Sequence, residues 1–241
     1  MAIISFWSNS KRETGQTLSS VAVATAMAID HNHKILEVAT SFQDNTIENC
    51  FWDESKEKNV RAITGVTQTN FNNGVEGLIK IIQSNRSSSN IVGDYARVVF
   101  KDRLDVLPAP ATQNIMDYNT IAEYYPDLLK IAAREYDMVF VDVDKRMPMD
   151  TQRKILEQSD VVVLTLKQGL DAMKNVINLR SNDELFKKDN VILLAGKYDK
   201  FSKYNVTNMT RELKEKRKIC AVPYNTLFFE ASTEGTTSTY E

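Results

Sequence analysis

The residues best placed to do chemistry lie near the start of the chain, in Ser10-Lys11-Arg12-Glu13-Thr14-Gly15-Gln16-Thr17. They span the eight positions of the phosphate-cradling pattern G-x-x-x-x-G-K-[ST]. In that pattern backbone N–H groups surround phosphates, the lysine neutralises them and the hydroxyl reaches Mg²⁺. Gly15 and Thr17 match, Ser10 replaces the first glycine and Gln16 replaces the lysine. The plainer alternative is a polar strand-to-helix turn with Thr17 as an N-cap. The second feature is Asp137 to Asp144, DMVFVDVD, an apolar strand whose end carries Asp142. A carboxylate at the C-terminal end of a strand, facing a phosphate loop, is suited to hold the shell of a divalent cation.

These residues need a frame. Ile3 to Trp7, Lys34 onward (KILEVA), ARVVF, RLDVLPA, Asp137 to Asp144, Asp160 to Leu166, NVILLAGKY and KICAVPY read as strands. Between them, Thr17 to Ile29, Gly74 to Asn85, Thr120 to Tyr136, Gln152 to Gln158, Asp171 to Arg180 and Asn208 to Lys218 have helical spacing, and residues 86–95 form a polar break. Strands apolar on both faces and alternating with helices predict an α/β fold, a mostly parallel twisted sheet with helices on both faces. In such sheets ligands sit beyond the carboxyl ends of the strands, here the loops after Trp7, Val38, Leu107, Val141, Leu166, Leu194 and Val222. Neither a repeat nor a Gly/Ser linker divides the chain, so residues 1–241 are expected to form one domain.

Composition excludes several classes. With 42% hydrophobic and 26% charged residues the 241-residue chain is globular rather than disordered. It has neither a secretory leader nor an apolar run of ~18 residues. Two cysteines, Cys50 and Cys220, make no disulfide framework and fit a cytoplasmic setting. A net charge of −2 argues against a globally basic nucleic-acid binder. Two histidines and two cysteines make a zinc site improbable.

Around Lys11 the first loop resembles the deviant Walker A loop K-G-G-x-G-K-[ST] of the MinD/ParA ATPase family. In that family an early signature lysine, matched here by Lys11, reaches a partner subunit's phosphates. YDMVFVDVD resembles the family's Walker B segment, RLDVLPAPATQ its strand ending in a Leu-Pro-Ala turn, NVILLAGKYDKFS the late strand and loop near the adenine, and CAVPYNTLFFEAS the final strand and its proline loop. The altered loop and the VPYN…F…A ending look most like the TadZ/CpaE branch, pole-localising factors of Flp-type pili and related secretion machines. A receiver-like domain ahead of the fold, found in many of that branch, is absent from this chain, and the final family helix is expected to be missing or truncated.

The resemblance implies ATP/ADP and Mg²⁺ as cofactors. Nucleotide binding would fall to Lys11, Arg12, Glu13, Thr14, Gly15, Gln16, Thr17, Leu18, Lys197, Pro223 and Tyr224, and the metal to Thr17 and Asp142. It implies a homodimer, either ATP-dependent or constitutive in assembly, with partners in a pilus, secretion or partition system. No residue is assigned a catalytic role. Hydrolysing members end their second strand in D-x-D-P-Q. Here Ala39-Thr40-Ser41-Phe42-Gln43 has lost both carboxylates, and nearby Asp44 reads as a turn or capping residue ahead of Thr46. Losing a charge-assisted phosphate contact through Gln16 costs roughly 1.5–3 kcal/mol, about ten- to a hundredfold. Weak or preserved nucleotide binding with slow or absent hydrolysis follows. In the adenine region Gly196 stands nearest the family's Asn.

The stretch from Lys200 to Lys218 is basic, with Lys203, Arg211, Lys214, Lys216 and Arg217 inside it. It reads either as a contact for DNA phosphates, which would favour a partition ATPase, or as a solvated helix face with a Glu212–Lys216 pair. The polar ending STEGTTSTYE disfavours direct membrane insertion. A third reading is a nucleotide-free scaffold. Asp105, Asp144 and Lys145 read as loop polar groups, Trp7 as core, and Phe51 and Trp52 as packing residues.

Overall fold

The computed structural model describes residues 1–10, 14–53, 74–84 and 90–237. Eight strands form one sheet: β1 (Ala2–Trp7), β2 (Ile35–Ala39), β3 (Arg97–Phe100), β4 (Leu104–Leu107), β5 (Met138–Asp142), β6 (Val161–Leu166), β7 (Val191–Tyr198) and β8 (Cys220–Pro223). Their order is β3-β4-β2-β5-β1-β6-β7-β8. All neighbours are parallel except β3 and β4, which form an antiparallel edge. The parallel strands are apolar on both faces because helices cover both.

The helices are α1 (Gln16–Asp30), α2 (Thr46–Phe51), α3 (Gly74–Gln83), α4 (Ile115–Ala122), α5 (Tyr125–Glu135), α6 (Met149–Gln158), α7 (Leu170–Asn182), α8 (Val206–Glu212) and α9 (Thr226–Glu234), with a 3₁₀ turn at Glu184–Lys187. On one face α1 and α2 pack Val21, Ala24, Ile47 and Phe51 against Phe6, Ile35 and Phe140. On the other, α3 to α6 cover Leu36, Val38, Val139 and Val141. The 3₁₀ turn, α7 and α8 cover Val162, Leu164 and Leu193. Alternate residues of each strand therefore feed opposite cores, as a period of two requires.

Three elements and one loop position differ from the sequence expectation. The helix expected over Thr120 to Tyr136 is two helices, because Pro126 starts α5 near its N-terminus and cannot continue a preceding turn. The charged helix expected to Lys218 stops at Glu212, and Lys214 takes a positive φ of 51°. The Glu212–Lys216 spacing thus has no helix to bring its charges together. β7 matches the expected strand NVILLAGKY, with an irregular register between Ala195 and Tyr198, so the ligand loop placed after Leu194 begins four residues later. A nine-residue helix, α9, follows β8 and packs on α2. Gln83 ends α3, and residues 85–89 of the expected helix end and polar break lie outside the described residues.

Candidate functional site

β5 lies between β1 and β2, and the register sets Asp142 opposite both Phe6 and Ala39. The loop expected to hold phosphate, after β1, and the end of β2 therefore flank the carboxylate expected to hold metal. α1 begins immediately after Gly15, which takes a left-handed φ of 73° and accepts the first helical bond from Ser19 N at 2.8 Å. The N-terminus of this fifteen-residue helix supplies a partial positive charge there. Thr17 is not the N-cap: its hydroxyl leaves the helix and donates to Asp142 Oδ2 at 2.7 Å.

Gln16 turns the same way. Its Nε2 donates to Asp142 Oδ1 at 2.7 Å, Val143 O at 3.0 Å and Phe6 O at 3.1 Å. An amide has two N–H groups, so three acceptors already exceed its capacity. Both oxygens of Asp142 are engaged, and the residue is 5% exposed. Burial pushes its carboxyl up to about 6, opposed by the Thr17 and Gln16 donors and assisted by Asp144 and Asp44. The result is a closed, neutral-to-anionic knot where an active phosphate loop would present a free cation.

The end of β2 is tied as firmly. Thr40 Oγ1 donates to Asp142 O at 2.7 Å and accepts from Asp144 N at 2.9 Å. Tyr118 and Tyr125 donate to the carbonyls of Thr40 and Ala39 at 2.8 and 3.1 Å. Both phenols are buried, which raises their pKa values. Phe42 N donates to Asp144 Oδ2 at 2.8 Å, and Arg146 forms an ion pair with the same carboxylate at 2.7 Å. Ser41 is buried here and brings no charge. Gln43 has a positive φ of 52° and donates to Gln113 O. Asp44 accepts from Thr46 N at 3.0 Å.

On the other side of α1, Gly15, Leu18, Lys197, Pro223 and Tyr224 line one cleft, joined by Ser19, Val222, Asn225, Phe228 and Phe229. The cleft holds about 20 Å³, room for a water molecule. β7 closes it. A Cβ on Gly196 would stand 2.1 Å from Thr14 O, so the strand touches the loop backbone there. Lys197, at a positive φ of 51°, lays its Cγ within 3.0 Å of where a Gly15 side chain would begin. Thr14 is buried beneath this contact. Lys11, Arg12 and Glu13 lie outside the described residues.

Sequence reasoning passed over Glu37. It is fully buried on β2, accepts from Ser20 Oγ at 2.6 Å, and its Oε2 meets no hydrogen-bonding partner among the described residues. Burial raises its pKa to about 8. A lone acid inside the apolar KILEVA strand was the available signal. Asp105 is not a loop group: it lies in β4, buried, and accepts from Tyr136 Oη at 2.8 Å. Burial also raises its pKa. Asp144 joins the β2 brace, and Lys145 is partly desolvated, which lowers its pKa. Trp7 stacks on Phe186 and donates to Gln152 Oε1 at 2.8 Å, and Phe51 is buried.

As a Mg²⁺ site the donor set is incomplete by itself. Thr17 and Asp142 offer one hydroxyl and one carboxylate, and among the described residues no group of three acidic, histidine or cysteine side chains converges. This fits a cation held jointly with phosphate oxygens.

No protein-family model matches the chain, and none of the curated proteins is similar to it in sequence. Solved structures are similar in fold. A ParA family ATPase from Chlorobium tepidum superposes with a TM-score of 0.72 at 18% identity, covering 98% of this chain and 91% of that one. The septum site-determining protein MinD of Pyrococcus horikoshii, complexed with Mg-ADP, gives 0.67 at 12% identity over 98% and 87%. A putative plasmid partition protein from Borrelia burgdorferi, bound to AMPPNP, gives 0.66 at 18% over 98% and 90%. The chain thus has the α/β fold of the MinD/ParA P-loop NTPases. Among the described residues no helix is long and apolar enough to cross a membrane.

Proposed function

We propose that this chain is a MinD/ParA-like protein that keeps the nucleotide-site framework, binds adenine nucleotide weakly and does not hydrolyse it efficiently. The observation that carries this is the knot of Gln16 and Thr17 on Asp142. The side chain in the lysine position is neutral and spends its donors on protein acceptors. A triphosphate arriving at the loop would meet helix N-terminal amides without the usual ammonium. Its Mg²⁺ would have to draw Thr17 away from Asp142. Bound there, Mg²⁺ would neutralise charge between the terminal phosphates. The buried Ser41 leaves an attacking water without a carboxylate at that position. Since phosphoryl transfer is catalysed by positioning and electrostatics, these absences act mainly on rate.

The fold shared with MinD complexed with Mg-ADP and with a partition protein bound to AMPPNP supports adenine nucleotide, at residues 14–18, Lys197, Pro223 and Tyr224, as the ligand class. Lys11, as the signature lysine, would complete the site across a homodimer. The single-domain organisation, the cytoplasmic setting and the TadZ/CpaE-like role, marking a position for a pilus or secretion apparatus, belong to this reading and rest on the sequence pattern. The partition alternative is weakened because the basic run from Lys200 to Lys218 is divided between two ends of the sheet. The nucleotide-free scaffold is favoured by the same knot, and one experiment separates it. Calorimetric titration with Mg·ATP and Mg·ADP, alongside phosphate release, should give measurable binding and no turnover. Turnover at the level of an active partition ATPase refutes the proposal, and undetectable binding of both nucleotides establishes the scaffold.

A further inference from the structure

The basic run after β7 does not stay together. Lys200 and Lys203 follow the C-terminal end of β7, whereas Lys214, Lys216, Arg217 and Lys218 precede the N-terminal end of the parallel strand β8. α8 carries the chain between the two ends, separated by an eight-residue strand of about 26 Å. At the N-terminal end the second group meets cations from another loop, Lys187 and Lys188. Lys214, Lys216 and Arg217 of that group, with Lys187, Lys188 and Arg180, line a cleft of about 360 Å³. Six cationic side chains face two carboxylates, Asp189 and Glu215, in a chain whose net charge is −2.

The two arginines build the walls. Arg180 Nε donates to Phe186 O at 3.1 Å, and its guanidinium forms an ion pair with Glu215, which neutralises that carboxylate. Arg217 Nη1 donates to Asp189 O at 2.7 Å and ties the loop before β7 to the loop before β8. Lys187 pairs with Glu184. Lys188, Lys214 and Lys216 are exposed and have no carboxylate partner among the described residues. Lys214 is held at a positive φ of 51°, a conformation a lysine rarely adopts. The cleft is therefore pre-shaped by arginine bonds and lined by unneutralised ammonium groups.

We propose that this cleft is a binding site for a small ligand carrying two or three linked phosphate groups. It lies at the end of the sheet opposite Gly15 and is separate from the nucleotide loop. Several lysines converging on one concavity suit closely spaced negative charges, and the volume exceeds that of a single phosphate and falls within the range of small-ligand pockets. A duplex fits worse. Its charges extend in rows along an axis and call for a long basic stripe, which α8 interrupts by sending half of the run to the far end.

Tripolyphosphate titrated into the intact protein, followed by calorimetry and by backbone amide shifts, tests this. One equivalent should bind, moving the amides of Lys188, Asp189, Lys214 and Lys216. The double variant Lys188→Glu/Lys214→Glu should weaken binding at least tenfold while melting as the parent does. Lys200→Glu/Lys203→Glu should leave it unchanged. The proposal is overturned by affinity that survives the first double variant, by shifts confined to residues 14–18, or by random duplex DNA binding more tightly than tripolyphosphate through the same lysines.

Discussion

The two ends of the sheet handle charge in opposite ways. At the C-terminal end, Gln16, Thr17, Thr40 and two tyrosines consume one another's hydrogen-bonding capacity around Asp142, and Gln16 brings no charge to it. At the N-terminal end, lysines crowd a cleft with few carboxylates to meet them. Buried polar groups must be satisfied internally, so the first end is rigid and its members depend on each other. Exposed cations are solvated, so the second end contributes little to stability and remains available to a ligand. The contrast teaches that one sheet can spend its polar groups on internal bonds at one end and leave its cations to solvent at the other.

The contrast fails first at Asp142, if it fails. Asp142→Ala leaves the Gln16 amide and the Thr17 hydroxyl without their acceptor in a buried setting, and each orphan costs about 1–3 kcal/mol. A loss of about 3 kcal/mol in denaturant unfolding is expected; a loss under about 1 kcal/mol would mean the knot is not holding the loop.

Glu37 sharpens the same end through pH. Its folded pKa, about 8, lies above the ordinary 4.5. The protonated form is thus the one that folding favours. Its contribution is fully present below pH 4.5 and is lost as pH rises towards 8. Asp142, raised from 3.8 to about 6, acts in the same sense over a narrower window. Glu37→Gln should gain stability relative to the parent steadily between pH 4.5 and 8, by an amount on the order of a few kcal/mol. A difference that stays flat with pH would show that Glu37 titrates normally.

Gln16→Lys restores the missing cation beside a carboxylate able to accept it. Mg·ATP affinity should rise about ten- to a hundredfold, matching a charge-assisted bond worth about 1.5–3 kcal/mol. Unchanged affinity by calorimetry would mean that the loop at Gly15 is not an anion seat. Smaller again is Tyr118→Phe, which deletes the bond to Thr40 O and should cost about 1 kcal/mol in thermal or chemical melts. Smallest is the stability effect of Lys188→Glu/Lys214→Glu, within about 0.5 kcal/mol of the parent. A large loss there would show the lysines to be structural and erase the contrast between the two ends.

Much of the frame was legible because its signals are local. Strand and helix alternation, the place of the loop between β1 and α1, and the position of Asp142 at a strand end all follow from side-chain periodicity and a few turn residues. The breaks were less legible. The apolar spacing from Thr120 to Tyr136 runs on across Pro126 and hides the break there, and the lysine-rich end of α8 has good helix formers that its tertiary surroundings overrule. The nine residues of α9 are hard to read because its last three, Ser232 to Glu234, open the polar stretch STEGTTSTYE. Of the candidate site, Gly15, Leu18, Lys197, Pro223 and Tyr224 were named from resemblance, and the structure brings them to one narrow cleft. Ser19 and Phe228 carried no comparable local mark, and Glu37 only that of a lone acid in an apolar strand.

The sequence alone determined that Gln16 and Thr17 follow Gly15 ahead of α1, and that Ala39 and Ser41 rather than carboxylates stand at the end of β2. Only the tertiary structure decided where Gln16 points. Its acceptor on Asp142 lies 126 residues away and reaches it through the pairing of β1 with β5. The same holds for the basic run, continuous along the chain yet split across the sheet by α8, with Lys188 recruited from a separate loop. Composition and spacing record what each segment can form by itself. The partner that satisfies a buried donor, or the neighbour that concentrates a charge, depends on which distant strands the folded sheet places side by side.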